Sequence, residues 1–286
     1  MNLNALVLGG GGPVGTAWMS ALLDGLVSAG LPVAESDVVL GTSAGSVVGS
    51  WLTTRPTELP ALAGKIRKRA AWHASNAKTG YGDPSLLKRI AGGSGRTADE
   101  ARSIAQAAIA AIPPISADQA EAMWTATVPA GPWSPRFRAA SVNADTGLVH
   151  AWSAQDGIPL AVAAACSTAA PGVAPPVAVA GSVWVDGGVR SNTNADLLLE
   201  LGNDDRAPIV TGPGKVLILT PVPSEDLARE KAVLVEHGHR VHVLTATRFY
   251  TAPTDLLDPA FIDIATTAGA GQAQDVAAEL KTWWDD

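Results

Sequence analysis

The chain is poor in cysteine. Cys166 is the only one in 286 residues, so no intrachain disulfide forms and stability has to come from a packed core. It stands in Ala163-Ala164-Ala165-Cys166-Ser167, where a small buried thiol is expected. Charge is also sparse: 16% of residues are charged, the formal net charge is -7, and there is no long basic run. That excludes the usual electrostatic footprint of a nucleic-acid-binding protein. No stretch reaches the ~18 uninterrupted apolar residues of a membrane span. The opening Met1-Asn2-Leu3-Asn4 lacks the basic segment and cleavage site of a signal peptide, so a cytoplasmic protein is expected. Internal repeats are missing as well. What remains is a globular composition, 47% hydrophobic with 29 Gly and 20 Pro, enough for one large domain or two small ones.

Residues 5–8 form a short continuous apolar run, as in a strand buried in a parallel sheet. Gly9-Gly10-Gly11-Gly12-Pro13-Val14-Gly15 follows, then a helix over 16–29 that Gly30 ends, then a second apolar run at 38–40. This is a βαβ unit. The second run leads into Gly41-Thr42-Ser43-Ala44-Gly45 and a small-residue helix. Strand, tight turn with Ser at the apex and helix make a nucleophile elbow, in which Ser43 Oγ stands clear of the sheet edge; a Gly/Ser-rich βα loop is the plain alternative.

The glycine run has two functional readings. Gly10, Gly12 and Gly15 fit G-x-G-x-x-G, a dinucleotide fingerprint, but Glu35 and Asp37 precede the second strand where that motif wants an acid after it. Alternatively, the N–H groups of Gly10, Gly11 and Gly12 form an oxyanion hole, Pro13 having none to offer. Glycines serving helix–strand packing alone are the plain alternative.

Between 55 and 135 the pattern becomes helical, with no convincing strand. Lys65-Ile66-Arg67-Lys68-Arg69, followed by Trp72, is a local basic patch: a solvated helix face, or a contact to acidic headgroups. A short helix is expected at 86–90, a loop tip at Gly92-Gly93-Ser94-Gly95, and capping boxes at Thr97 and Ser116 open two more helices. This stretch reads as a helical cap inserted over the sheet edge that carries Ser43. Strands follow at 136–142 and 148–152 as a hairpin, then a helix at 158–166, a Pro-rich surface loop at 171–176 and a strand at 183–185. A helix at 194–201, a strand at 215–220, a helix at 225–237, a strand at 241–244 and a helical tail at 275–284 complete the chain.

A serine needs a base. Asp186, at a strand end before Gly187-Gly188, is the candidate; partial burial raises an aspartate's pKa and eases proton acceptance. His237, His239 and His242 permit a Ser–Asp–His order or, less well, a metal site without an acidic partner. The pair Trp283-Trp284 suggests core or oligomer packing, with a membrane interface as the alternative.

Glycine loop, G-x-S-x-G elbow and Asp186-Gly187-Gly188 occur in the order that resembles the patatin-like phospholipases, over roughly residues 5–200. The run Ala170-Pro171-Gly172-Val173-Ala174-Pro175-Pro176 and Asn192 also look like the flanks of that family's Asp motif. The chain departs from the pattern at Val14, where many members carry Arg or Lys, and at Asn194, where a proline is common. The resemblance implies a three-layer α/β/α fold with a central mostly parallel sheet, a single domain over 1–286 and the cap at 55–135. It further implies a serine lipid acyl hydrolase, with Ser43 and Asp186 as a dyad, Gly10, Gly11 and Gly12 around the oxyanion, and no cofactor or metal. The partners would be a lipid or other acyl ester and, transiently, a membrane. A nucleotide-binding module and an inactive acyl-binding relative are the alternatives.

Overall fold

The computed structural model describes residues 3–76, 85–86, 97–199, 209–247 and 249–285. A nine-stranded mixed sheet runs through its centre. β1 (Leu3–Leu8) and β2 (Val38–Thr42) are the apolar runs of the first βαβ unit; they pair in parallel with Leu8 opposite Gly41. β8 (Gly214–Thr220) lies parallel on the far side of β1, and β9 (Arg240–Thr245) outside it. On the other flank β4 (Phe137–Asn143) is parallel to β2, after which the direction reverses. β7 (Ser182–Asp186) is antiparallel to β4, and β6 (Val177–Val179) is antiparallel to β7. β5 (Val149–Trp152) completes the expected hairpin with β4.

Two short edge strands depart from expectation. β3 (Ile115–Ser116) lies within the helical 55–135 stretch and pairs in parallel with β6, which itself falls just past the run expected as a surface loop. Strands of two or three residues are too short to leave an alternation in the sequence.

Helices cover both faces, giving the three layers expected. α1 (Gly12–Ser28), α2 (Ala44–Thr54), α3 (Leu59–Asn76), α5 (Ala117–Trp124), α6 (Leu160–Ser167) and α8 (Ile262–Asp285) share one apolar cluster with Leu6, Leu8, Val39 and Phe137 of the sheet. The alternate strand residues Val7, Leu40, Val216 and Ile218 turn to the opposite face, where Leu227 and Leu234 of α7 (Glu225–Glu236) meet them. On that face α4 (Ala98–Ala111) also packs on Val142 and Val185. The 55–135 stretch is thus divided between the layers, α3 and α5 lying with α1 and α2 while α4 lies behind the sheet. Thr97 and Ser116 form the expected capping boxes. Of the helix expected at 86–90, only residues 85–86 are described, and they are helical; the expected loop tip at 92–95 lies outside the described residues.

α1 runs against α8, which is longer than the tail helix expected. Trp284 is buried in the core, and the Lys215 ammonium donates to its carbonyl (2.5 Å). Contact between the two helices is close at two glycines. A Cβ on Gly269 would lie 2.3 Å from the Trp18 carbonyl oxygen, and one on Gly25 would lie 2.5 Å from Ala273 Cβ. Gly271, two residues along α8, is exposed with nothing within 4 Å of such an atom. Helix propensity favours alanine over glycine at both α8 positions by about 1 kcal/mol. At Gly269 the clash is with backbone, which does not yield cheaply. Gly269→Ala therefore lowers stability by about 1–3 kcal/mol, whereas Gly271→Ala raises it by about 1 kcal/mol. Urea midpoints at unchanged m-value check both signs.

Candidate active site

Two loops leave the same edge of neighbouring parallel strands. The first carries Gly9, Gly10 and Gly11 from β1 into α1; the second is Ser43, between β2 and α2. Ser43 has φ 52° and ψ −116°, a strained conformation for a residue with a side chain. Glycine on either side makes it attainable. A Cβ on Gly41 would lie 2.4 Å from the Gly45 carbonyl oxygen, and one on Gly45 would lie 1.9 Å from that of Leu8. The Gly45 N–H donates to the Gly9 carbonyl (3.1 Å), tying the elbow to the glycine loop. The Ser43 N–H donates to Ser167 Oγ (3.0 Å), a contact with no signal in the small-residue run of α6.

Asp186 ends β7, with β4 alone between β7 and β2 in the sheet. Its N–H donates to the Ala169 carbonyl (3.1 Å), and its Oδ1 accepts from the Gly188 N–H (2.7 Å). The Ser43 side chain lies near the same carboxylate and lowers its pKa. Residues 143 positions apart in the chain are therefore brought close together. Asp186 is 4% exposed, and this burial pushes its pKa up to about 7, against the opposing pull of the Gly188 hydrogen bond and of the nearby Ser43 side chain. Gly187 is needed because a Cβ there would lie 2.6 Å from the Ala140 carbonyl oxygen.

Two asparagines hold these pieces in place. Asn192 accepts the Gly10 N–H on its carbonyl (2.9 Å), and its Nδ2 donates to Thr220 Oγ1 (3.0 Å) and the Val222 carbonyl (2.9 Å). Asn194, in the left-handed region at φ 51°, donates through Nδ2 to Thr42 Oγ1 (3.1 Å), the Gly187 carbonyl (3.1 Å) and the Ser191 carbonyl (2.7 Å). It links the residue before Ser43 to the residue after Asp186. A proline at this position could make none of these bonds.

The glycine loop requires one correction. The Gly10 N–H is occupied by the Asn192 carbonyl and is not free to receive an oxyanion. Gly10 answers instead to close approach, since a Cβ there would lie 2.6 Å from Asn192 Oδ1 and 3.4 Å from Ser43 Cβ. Among the described residues the N–H groups of Gly11 and Gly12 have no partner, and they sit at the positive end of α1. Packing also acts on this loop: Pro221 fills the space a side chain would need at Gly11 and Gly15, and the Leu256 carbonyl does so at Gly12.

Ser43 opens onto a cavity of about 330 Å³. Its wall includes Gly12, Val47, Ile66, Trp124, Val173 and Leu257, and Asp186 stays behind Ser43, off that wall. Arg69 of α3 is the one charged side chain lining it among the described residues. Sequence reasoning did not assign Arg69 and Ile66 to this wall. Val14 is fully buried in the core. His237, His239 and His242 lie on or next to β9, with β8 and β1 between β9 and β2, and none lines the cavity. Among the described residues no group of three His, Cys, Asp or Glu side chains is arranged to hold a metal, and no helix is long and apolar enough to cross a membrane.

The chain is similar in structure to VipD from Legionella pneumophila, with 12% identity and a TM-score of 0.46, 97% of this chain aligning with 67% of that one. It is similar also to the type III effector protein ExoU, with 11% identity and a TM-score of 0.38, 98% of this chain aligning with 53% of that one. The chain thus spans about two thirds of the first and about half of the second. No curated protein matches it. The family model described as patatin-like phospholipase matches residues 6–199, more than half of the chain, including the strands and loops that carry Ser43 and Asp186, and the chain belongs to that family.

Proposed function

We propose that the protein is a serine lipid acyl hydrolase that cleaves carboxylic esters with Ser43 as nucleophile and Asp186 as its base. One observation carries this reading: the elbow serine has beside it a buried carboxyl, Asp186, whose pKa burial raises to about 7. A base poised near the working pH is half-deprotonated, yet basic enough to take a proton in the transition state.

Ser43 Oγ bonds to the ester carbonyl carbon as its proton passes to Asp186. Negative charge moves to the carbonyl oxygen, where the Gly11 and Gly12 N–H groups and the α1 N-terminus stabilise it. The tetrahedral centre collapses, the bond to the alcohol oxygen breaks, and Asp186 returns the proton to that oxygen. Water then attacks the acyl-serine while giving its proton to Asp186, and in the second collapse the bond to Ser43 Oγ breaks, Asp186 returns that proton to Oγ, and the fatty acid leaves. The apolar cavity receives the acyl chain. Within a single domain over 1–286, α3 and α5 of the 55–135 insertion act as the cap and supply its wall, while α4 lies behind the sheet. We assign the enzyme to the cytoplasm, with transient contact at a lipid surface.

Hydrolysis of p-nitrophenyl acyl esters tests the assignment. Ser43→Ala and Asp186→Asn each lower kcat by roughly 10⁴-fold or more, and a fluorophosphonate probe labels wild type at Ser43. Full activity in Ser43→Ala refutes the nucleophile; a folded wild type with neither turnover nor labelling identifies an inactive relative. In wild type, kcat/KM rises with pH through about 7 as Asp186 loses its proton.

Stability moves the other way. Between the usual aspartate value and about 7 the folded protein keeps a proton that the unfolded chain has released, so stability falls as pH rises through that window. Asp186→Asn is free of this loss. Its advantage in unfolding free energy over wild type therefore grows from pH 4 to pH 8 by up to roughly 4 kcal/mol, measurable in urea at both pH values.

A further inference from the structure

A second cavity, of about 610 Å³, adjoins the first and shares Arg69 with it. Lys65, Lys68 and Arg69 line this cavity from α3, and Met123 and Thr127 face them. Spacings of three and four residues put the three cations on one side of the helix. Arg67, on another side, is paired with Asp263, and Arg55 with Glu58. No carboxylate pairs with Lys65, Lys68 or Arg69 among the described residues. This is notable in a chain of net charge -7.

Arg69 is the most constrained of the three. Its guanidinium carbon lies 3.7 Å from the centroid of the Trp124 ring, and one Nη donates to the Met123 carbonyl (2.6 Å). Its other N–H groups have no partner among the described residues. Burial lowers its pKa to about 10, the mark of a cation held out of water without a counter-charge. Lys65 Nζ lies 5.1 Å from the Trp51 ring centroid. Aromatic faces hold both side chains in position and leave their donors available. A planar guanidinium fork flanked by two ammonium groups suits the oxygens of a phosphate.

We infer that the Lys65–Lys68–Arg69 cavity is an anion subsite that takes the phosphate of a single-chain acyl ester whose chain occupies the neighbouring apolar cavity. The inference rests on the hydrolase reading above and deepens it. Arg69, on the wall between the two cavities, is the specificity determinant: it meets the phosphate on one side while the scissile ester reaches Ser43 on the other. The enzyme thereby distinguishes phosphate-bearing esters from neutral ones of the same chain length.

The test compares hexanoyl-glycerol phosphate with monohexanoyl glycerol, both as monomers. Wild type has the higher kcat/KM on the phosphate ester, mainly through KM. Arg69→Gln reduces the ratio of the two kcat/KM values at least about tenfold, the worth of one charge-assisted hydrogen bond. Because Arg69 also packs on Trp124, Lys65→Gln/Lys68→Gln serves as a second variant that leaves that packing intact, and it lowers the same ratio. Inorganic phosphate raises the wild-type KM for the phosphate ester and does so less in both variants. An unchanged ratio in both variants, or no preference in wild type, overturns the subsite. Activation of neutral-ester hydrolysis by inorganic phosphate, with no preference for the phosphate ester, assigns the cavity to a free-phosphate effector and overturns it too. Calorimetric titration of hexanoyl-glycerol phosphate into Ser43→Ala, with and without Arg69→Gln, reads the subsite without turnover. Affinity lost with Arg69→Gln supports it, and equal affinity refutes it. Absence of hydrolysis of both esters by wild type counts against the hydrolase reading, while the calorimetric arm still decides the subsite.

Discussion

The approach of α2 to β1 at Gly45 is the constraint on which the site depends. With the Leu8 carbonyl 1.9 Å from where a Cβ would stand, no side chain fits, and the elbow seats directly on the strand before it. The hydrogen bond from Gly45 to Gly9 then fixes two loops together that belong to different turns of the chain. The positive φ of Ser43 is the local strain this arrangement carries. It stays in place because the surrounding backbone is over-determined: β2 is paired on both sides, and α2 is buried along nearly its whole length.

Asp186 brings the opposite problem, a carboxyl with almost no solvent. Its environment supplies a hydrogen bond from the Gly188 N–H in place of water, and this, with Ser43 nearby, lowers but does not cancel the effect of burial. The chain leaving Asp186 is anchored by a polar network beneath it. Arg190 makes a two-pronged pair with Asp196 (2.8 and 2.7 Å), and Arg229 joins it (2.8 Å). Glu230, fully buried, accepts from Thr193 Oγ1 (2.5 Å) and the Ala195 N–H (2.8 Å); burial and the nearby Asp196 charge hold its pKa above the usual glutamate range. Ionic groups of this kind contribute little net stability. Here the network carries Asn192 and Asn194, which reach the glycine loop, the elbow and the Asp turn at once.

α3 gives the site its chemical polarity. Ile66 and Ala70 contribute an apolar wall to the Ser43 cavity, while Lys65, Lys68 and Arg69, within the same two turns, face the adjoining one. One helix therefore presents grease to the reaction and charge to its border.

The sequence alone determined the elements whose cause is local. Apolar runs, the Gly41 and Gly45 pair around Ser43, the capping boxes at Thr97 and Ser116 and the Gly-Gly turn after Asp186 are demands of nearby backbone, and each is legible within about ten residues. The order of the three loops was legible too. Tertiary structure alone decided the rest. Which glycine N–H groups are free depended on Asn192 arriving from 182 positions away to claim that of Gly10. The division of the 55–135 stretch between two faces depended on where β4 and β7 put Val142 and Val185 for α4 to cover. Arg69 at the cavity border, and Asn194 in place of a proline as a brace, gain their meaning from partners 54 to 152 residues distant. Such contacts are set by strand order and helix packing, which no short window of sequence contains.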